Sequence, residues 1–235
     1  MTFLAFETST KHFSLAVFHN GKITAHRTLK LKTVLSDAII PAIKKLLSSA
    51  RLSLDKLDGF AVGLGPGSFT SLRVGLSTVK ALAFATDKPV VGIPSLDALA
   101  LRAQNKNGNL ICTVSDARRN LLYACLYRKN KTDFERTSPY LLCRAEDLLK
   151  KISQATFFIG DGITMTKEAV KAAGRRSSLK FSFAAKKDWY PTAAEIALLA
   201  EERFKTKKFD DAATLIPLYL YPDDCQVGKN DTKKT

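Results

Sequence analysis

The sequence predicts a duplicated α/β fold in which two lobes each carry a mixed β-sheet with flanking helices. Three observations support this prediction. Each half of the chain opens with short apolar strands, each half then alternates helical and strand-like segments, and the segment NKNG separates the two halves. The predicted first lobe spans residues 1–104 and the second lobe residues 105–222, while residues 223–235 form a polar tail.

The first half begins with three predicted strands. Residues 2–8 are an apolar run typical of a strand buried on both faces, residues 12–19 alternate apolar and polar side chains, and Asn20-Gly21 is a hairpin signal before residues 22–29. The pattern then predicts, in order, a helix at 36–50, a strand at 58–64, a helix at 68–85, a strand at 88–93 and a helix at 95–103.

The helix at 36–50 carries two positional signals. Ser36 is a candidate N-cap, because its hydroxyl can accept a hydrogen bond from a free backbone N–H of the first turn. Pro41 has no backbone donor, so it either kinks the helix or marks its true first turn. Both alternatives remain open at this point.

The second half repeats the same order of elements, although no sequence identity between the halves is visible. Its predicted strands are at 109–117, 121–128, 134–142 and 156–160, with a weaker one at 179–183. Its predicted helices are at 145–152, 164–173 and 192–206. The duplication therefore rests on element order alone.

The composition is that of a globular protein with a strong basic excess. The chain has 235 residues, with 37 Lys and Arg against 22 Asp and Glu, which gives a formal net charge of +15. Such a charge favours nucleic acid or another polyanion as a partner, and a merely solvated basic surface is the alternative. Four dispersed cysteines and the lack of a leader or a membrane-spanning stretch predict a cytoplasmic protein without a disulfide framework or a membrane partner.

The strongest local motif is GLGPGSFT at residues 63–70, between a predicted strand and a predicted helix. Glycines there allow close approach, and a helix N-terminus offers free N–H groups to an anion. Pro66 removes one donor, however, and the P-loop pattern with its lysine is not met. The motif is therefore either a phosphate site or a tight structural turn in which Ser68 caps the helix.

Polar residues also close the first strand of each half. Glu7 and Thr8 end the first, and Asp116 ends its counterpart, so two carboxylates facing one cleft could hold Mg²⁺ and a phosphate. The alternative is a polar turn at 8–10 and an ion pair between Asp116 and an arginine. The candidates for a vestigial phosphate site are Glu7, Thr8, Gly65, Gly67, Ser68, Asp116 and Gly160.

No catalytic residue, metal ligand or cofactor is predicted from these patterns. His12, His19 and His26 do not form an H-x-x-x-H or H-E-x-x-H motif, and no G-x-S-x-G nucleophile elbow occurs. Serine hydrolysis, peptidase activity and a zinc centre therefore have no supporting constellation in the sequence.

Several blocks, in order from residue 2 to about 221, resemble the bacterial TsaB (YeaZ) family, whose members take part in the biosynthesis of threonylcarbamoyladenosine in tRNA. The most specific block is GPGSFT-x-LR-x-G, from Gly65 to Gly75. The others are FLAFETSTKHFSLAV, PVVGIPSLDALA, SDARRNLLYACLY, FFIGDG, PTAAEIALLA and the terminal PLYLY.

The resemblance implies an actin-like, hexokinase-like and Hsp70-like ATPase fold. It also implies a non-catalytic subunit that dimerises with the catalytic subunit TsaD and, with the ATPase TsaE, supports threonylcarbamoylation of N6 of adenosine 37 in tRNAs reading ANN codons. Contact with tRNA inside that complex, and a homodimer in the absence of the partner, are left open. The alternative function is a free-standing ATP-dependent small-molecule kinase of the same fold.

The family's contact surface for TsaD is a helical bundle, which maps here to residues 36–50 and 68–86. The implied interface residues are Ile39, Ile40, Ile43, Leu47, Ser71, Leu72, Gly75, Leu76 and Val79. The alternative is that this stripe packs on the chain's own sheet. The sequence departs from the family pattern at Glu7 (usually Asp), Leu35 (often His) and Ser71 (usually Gly).

Overall fold

Two mixed β-sheets lie at the centre of the computed structural model, which describes residues 1–31, 34–104, 110–130, 134–172 and 179–222. The predicted lobe boundary at 105–108 and the predicted polar tail at 223–235 lie outside the described residues. Within the described ranges, no helix is long and apolar enough to cross a membrane.

The first sheet contains five strands in the order β3-β2-β1-β4-β5. They are β1 (Thr2–Glu7), β2 (His12–His19), β3 (Lys22–Lys30), β4 (Gly59–Gly63) and β5 (Val90–Ile93). The first three strands pair antiparallel, whereas β4 and β5 run parallel to β1. The connecting helices are α1 (Leu35–Ser49), α2 (Phe69–Thr86) and α3 (Ser95–Ala103).

The second sheet repeats this topology. Its strands are β6 (Leu110–Arg118), β7 (Leu121–Lys129), β8 (Phe134–Arg136), β9 (Leu141–Cys143), β10 (Thr156–Ile159) and β11 (Phe181–Phe183). The order is β11-β10-β6-β7-β8, and β9 also pairs with β7. The helices are α4 (Ala145–Lys150), α5 (Ile163–Ala172) and α6 (Ala193–Lys205). The predicted duplicated fold with two mixed sheets is therefore confirmed.

The last helix of each repeat packs on the sheet of the other repeat. Leu96 and Leu99 of α3 join the core beside the second sheet. Ile196 and Phe204 of α6 instead join the core beside the first sheet, where the Phe204 ring stacks on Phe3 at 4.2 Å between ring centroids. The two repeats are thus interlocked by apolar burial, and the division of the chain at residue 105 stays a prediction.

The single strand predicted at 134–142 is wrong, because the structure contains two short strands there. β8 pairs with Tyr127–Lys129, whereas β9 pairs with Leu122–Ala124 at the other end of β7. Pro139 lies between them and has no backbone N–H to donate to a ladder, which interrupts the pairing.

Both predicted helix caps need correction. α1 begins at the buried Leu35, so Ser36 lies in its first turn and donates its hydroxyl proton to Asp37 Oδ1 at 3.1 Å rather than capping the helix. Pro41 lies in the interior of α1 and not in its first turn. Ser68 does occupy the N-cap position of α2, but its hydroxyl donates to Ser71 Oγ at 3.0 Å and makes no capping hydrogen bond.

Candidate functional site

The carboxyl-terminal ends of the central strands meet at a cleft that consists of two adjoining cavities. The strand-end cavity, of about 280 Å³, is lined among others by Ser9, Thr10, Lys11, Ser115, Asp116 and Asp161. The aromatic pocket, of about 410 Å³, is lined among others by Phe69, Arg118, Arg119, Tyr123, Tyr219 and Tyr221. The two cavities share wall residues, including Ser68 and Arg118.

Glu7 is fully buried beneath the cleft and its carboxylate is occupied. Oε1 accepts a hydrogen bond from the Ser9 N–H and Oε2 accepts one from the Ser95 hydroxyl, both at 2.6 Å. Burial raises the pKa of Glu7, and the hydrogen bonds from Ser9 and Ser95 oppose that rise. The Ser95 Oγ also accepts from the Gly65 N–H at 3.1 Å, so this network joins β1, α3 and the glycine-rich turn.

The structure therefore places the two predicted carboxylates in different environments. Asp116 lines the strand-end cavity, whereas Glu7 does not. The expectation that both carboxylates face one cleft is wrong, because the Glu7 side chain turns inward to Ser9 and Ser95. Gly67, Ser68 and Asp116 line the cleft, and Thr8, Gly65 and Gly160 serve the packing around it.

The glycine-rich motif is a tight structural turn packed on the end of β1. The Ser68 N–H donates to Ser9 O at 2.7 Å, and a Cβ on Gly67 would overlap that same carbonyl. Gly65 has a φ of +85°, a left-handed conformation that glycine adopts without strain. These contacts support the structural turn over the phosphate site, because the turn packs closely on the chain's own backbone.

Thr8 fills the space beside the helix that follows this turn. Its side chain is buried against Gly75 of α2, where a Cβ would lie 2.7 Å from Thr8 Cγ2. Among the described residues, the Thr8 hydroxyl has no hydrogen-bond partner. The absence of a side chain at Gly75 thus lets α2 approach the end of β1.

Asp116 pairs with an arginine, as one of the sequence alternatives predicted. Its Oδ1 accepts from the Arg118 N–H at 2.7 Å, and its Oδ2 lies 3.5 Å from Arg118 Nη1. The Asp116 N–H in turn donates to Asp161 Oδ1 at 3.0 Å. Burial raises the pKa of Asp161, and the nearby Asp116 charge adds to that rise. In the sequence, Asp161 stands out only by its place in the block FFIGDG.

The turn between β6 and β7 carries three consecutive residues with left-handed backbone. Arg118, Arg119 and Asn120 have φ values of 69°, 49° and 59°. Glycine adopts this conformation readily and asparagine less so, whereas it is unfavourable for arginine. Neither arginine was singled out as a site residue from the sequence, because the motif SDARRN contains no glycine that would have indicated the turn.

Potential metal ligands are dispersed over the described part of the chain. His19 Nδ1 lies 2.7 Å from Thr2 Oγ1, and His26 Nε2 lies 3.0 Å from Ser14 Oγ. No three His, Cys, Asp or Glu side chains within the described ranges come together in a way that could hold a metal ion.

Most of the implied interface residues are buried in the chain's own core. They are Ile39, Ile43, Leu47, Leu72, Gly75, Leu76 and Val79. Ile40, with 42% of its surface exposed, and the partly exposed Ser71 remain accessible to a partner. The same pair of helices also exposes Val34 at the start of α1 and Phe84 on α2, the latter at 92%. The sequence pattern missed these two, since neither belongs to the apolar stripe.

The matching family model and two matching relatives are named for threonylcarbamoyl modification of tRNA. Residues 32–228 match the family model described as TsaD: tRNA N6-adenosine threonylcarbamoyltransferase. The tRNA threonylcarbamoyladenosine biosynthesis protein TsaB of Bacillus subtilis is 29% identical over 224 residues, which is 94% of each chain. The TsaB of Buchnera aphidicola is 31% identical over 198 residues, 82% of this chain and 90% of the relative.

Solved structures show the same fold. YeaZ from Pseudomonas aeruginosa has a TM-score of 0.77 and 25% sequence identity, and the match covers 93% of this chain and 99% of YeaZ. With the repeated strand order, this likeness confirms the predicted α/β fold of two mixed sheets. The chain belongs to the TsaB (YeaZ) family of tRNA threonylcarbamoyladenosine biosynthesis proteins.

Proposed function

We propose that this chain is a non-catalytic subunit that pairs with a TsaD-like catalytic subunit. With a TsaE-like ATPase, the pair supports transfer of threonylcarbamoyl to N6 of adenosine 37 in tRNAs reading ANN codons. The observation that carries the proposal is the exposure of large apolar side chains on α1 and α2, the two helices that the family resemblance assigns to the TsaD contact.

One of these exposed apolar side chains has almost no cover. Phe84 is 92% exposed, Val34 is 64% exposed and Ile40 is 42% exposed. Burial of a phenylalanine side chain at an interface contributes about 1.5–3 kcal/mol, so an uncovered one on a helix face favours a protein partner there. Small side chains at Ser77 and Ala81 on the exposed side of α2 allow a second helix to approach closely.

The hydrogen bonds around Glu7 favour a non-catalytic role for this chain. At the end of β1, the Glu7 carboxylate accepts hydrogen bonds from the Ser9 N–H and the Ser95 hydroxyl. The Ser68 N–H donates to the Ser9 carbonyl. These groups are committed to internal hydrogen bonds, so the partner is expected to supply the transfer site.

The interface is tested with Phe84→Asp in co-purification of this chain with the TsaD-like subunit of the same organism. We expect the substitution to weaken the pair about tenfold or more, because it loses apolar burial and places a charge in the contact. Leu198→Asp on α6 is the matched control, since Leu198 is also an exposed apolar side chain at 44%. Equal effects of the two substitutions, or no loss with Phe84→Asp, would contradict the proposed contact surface.

The biological role is tested by deleting the gene and quantifying threonylcarbamoyladenosine in total tRNA by mass spectrometry. A loss that is restored by the wild-type chain and not by Phe84→Asp is the expected result. Unchanged levels after deletion would overturn the proposed function.

The kinase alternative has one supporting observation, the carboxylates Asp116 and Asp161 in the strand-end cavity. It is tested by isothermal titration of the isolated chain with ATP and Mg²⁺. Saturable heat with a one-to-one stoichiometry would favour that alternative, and we expect none.

A further inference from the structure

The aromatic pocket has walls suited to a planar ring. Two pairs of aromatic side chains line it, Phe69 with Tyr219 at 5.4 Å between ring centroids and Tyr123 with Tyr221 at 6.1 Å. The Tyr221 hydroxyl donates to Ala117 O at 2.8 Å, which anchors the segment after α6 across the cleft. A volume of about 410 Å³ lies within the range of small-molecule pockets, and one nucleotide fits that range.

Two arginines stand at the rim of this pocket on a strained turn. Arg118 and Arg119 both adopt left-handed backbone, in which each costs about 1–2 kcal/mol more than glycine would. The Arg118 side chain is 87% exposed, and among the described residues the exposed Arg119 makes no hydrogen bond or ion pair. Strain of this kind persists where the side chains serve a function, and guanidinium groups bind phosphate oxygens in bidentate fashion.

A third arginine contacts two of the aromatic residues that line the pocket. The Arg73 guanidinium lies 3.7 Å from the Phe69 ring centroid, and its Nε–H donates to the Tyr219 hydroxyl oxygen at 3.1 Å. This contact orients the first aromatic pair and places a positive charge beside it.

The adjoining strand-end cavity is less suited to a phosphate group. Asp116 and Asp161 line it, and their charges repel phosphate, although Lys11 and Arg118 lie at the same cavity. A phosphate group is therefore favoured at the arginine rim rather than deeper between the lobes. A triphosphate directed toward the strand ends fits this charge distribution poorly.

We propose that the aromatic pocket binds an unpaired nucleotide of RNA, with the base against Tyr219 and its aromatic neighbours and the phosphate at Arg118 and Arg119. Aromatic platforms combined with cationic edges are how proteins hold single-stranded nucleic acid, and the net charge of +15 draws in a polyanion. The choice of tRNA as the RNA rests on the proposed function, whereas the pocket's chemistry does not depend on it.

The test uses the purified full-length chain and a fluorescein-labelled, unmodified anticodon stem-loop of a tRNA that reads an ANN codon. Binding is measured by fluorescence anisotropy at several salt concentrations. Arg119→Asn removes one of the two rim charges, and asparagine tolerates the left-handed turn. We expect an affinity loss of about three- to tenfold and a salt dependence whose slope falls by about one.

Arg51→Asn is the matched control, because Arg51 is also exposed and also has a left-handed φ, of 54°, but follows the C-terminal end of α1. It removes the same charge from the same backbone conformation outside the pocket. We expect its affinity for the stem-loop to stay within about twofold of wild type, since it lacks a phosphate contact.

Tyr219→Leu tests the base platform. We expect an affinity loss of about fivefold or more with an unchanged salt slope, because base stacking is lost and no charge is removed. Tyr219→Phe keeps the ring and loses only the hydroxyl, so it should bind as wild type. Failure of this rescue would mean that the loss in Tyr219→Leu comes from the Arg73 hydrogen bond and would overturn the platform.

Two further outcomes would overturn the proposal. One is an equal effect of Arg51→Asn and Arg119→Asn, which would mean diffuse charge attraction. The other is saturable binding of AMP or ATP that Tyr219→Leu abolishes while the stem-loop fails to bind, which would make the pocket a free-nucleotide site. Co-purification with the TsaD-like subunit is measured in parallel: loss of that pairing in the wild type would refute the proposed function without changing the stem-loop results.

Discussion

The contact between α2 and the end of β1 predicts a compensating pair of substitutions. Gly75 lies in α2 against the buried Thr8, whose hydroxyl has no partner among the described residues. An alanine at residue 75 would overlap Thr8 Oγ1 and lie 2.7 Å from Thr8 Cγ2. Removing both of those atoms with Thr8→Ala leaves only Thr8 Cβ, at 3.1 Å.

The magnitudes follow from these distances. Gly75→Ala gains about 1 kcal/mol of helix propensity, but overpacking of the contact costs about 1–3 kcal/mol, so we expect a net loss near 1 kcal/mol. Thr8→Ala loses about 0.8 kcal/mol of buried methyl and removes an unsatisfied hydroxyl, so we expect it to be close to neutral. The double variant should be more stable than Gly75→Ala, with a favourable coupling of about 1–2 kcal/mol.

The coupling is measured by urea unfolding of the wild type, both single variants and the double variant. Ser77→Ala on the exposed side of α2 is the control for helix propensity alone, and we expect a gain of about 0.5 kcal/mol or less. Additivity of the two substitutions within about 0.5 kcal/mol would contradict this prediction, since it would mean that Gly75 and Thr8 are not in limiting contact.

Two further predictions concern stability. Phe204→Ala should lower the free energy of unfolding by about 3–5 kcal/mol, because it empties the stack on Phe3 between α6 and the first sheet; Phe209→Ala, at a side chain 40% exposed, should cost about 1 kcal/mol or less in the same urea titration. Burial raises the folded-state pKa of Glu7 above its ordinary 4.5. The stability that Glu7 contributes relative to glutamine is therefore complete below pH 4.5 and is lost as pH rises through the raised pKa. Urea unfolding between pH 4.5 and about 8 should therefore show wild type losing stability relative to Glu7→Gln as pH rises, and a constant difference would contradict it.

Local patterns predicted the secondary structure wherever one periodicity dominated. The three opening strands and α3 follow from runs of apolar residues and from the alternation of apolar and polar residues, because these patterns record which side chains avoid water. The split between β8 and β9 could not be predicted in this way, because it depends on which end of β7 each segment pairs with. Neither Ser36 nor Ser68 makes the predicted capping bond for a similar reason: a hydroxyl at a helix N-terminus can bond to a neighbouring side chain as readily as to the backbone.

The candidate site was predictable only in part. The sequence located polar residues at strand ends, and Asp116 does line the cleft. It could not show that Glu7 turns inward, since that depends on Ser95, which is 88 residues away along the chain. Nor could it show the aromatic pocket, whose walls come from α2, β7 and the segment after α6.

The order of elements, their duplication and the family can all be read from the sequence, because apolar periodicity and a specific block such as that from Gly65 to Gly75 are local properties of the chain. Which apolar side chains stay exposed for a partner depends instead on the tertiary packing. Most of the apolar stripe on α1 and α2 is buried in the chain's own core, whereas Phe84 is exposed at the surface. An apolar pattern records that a side chain avoids water, but whether its own sheet or another protein covers it depends on how the helices pack.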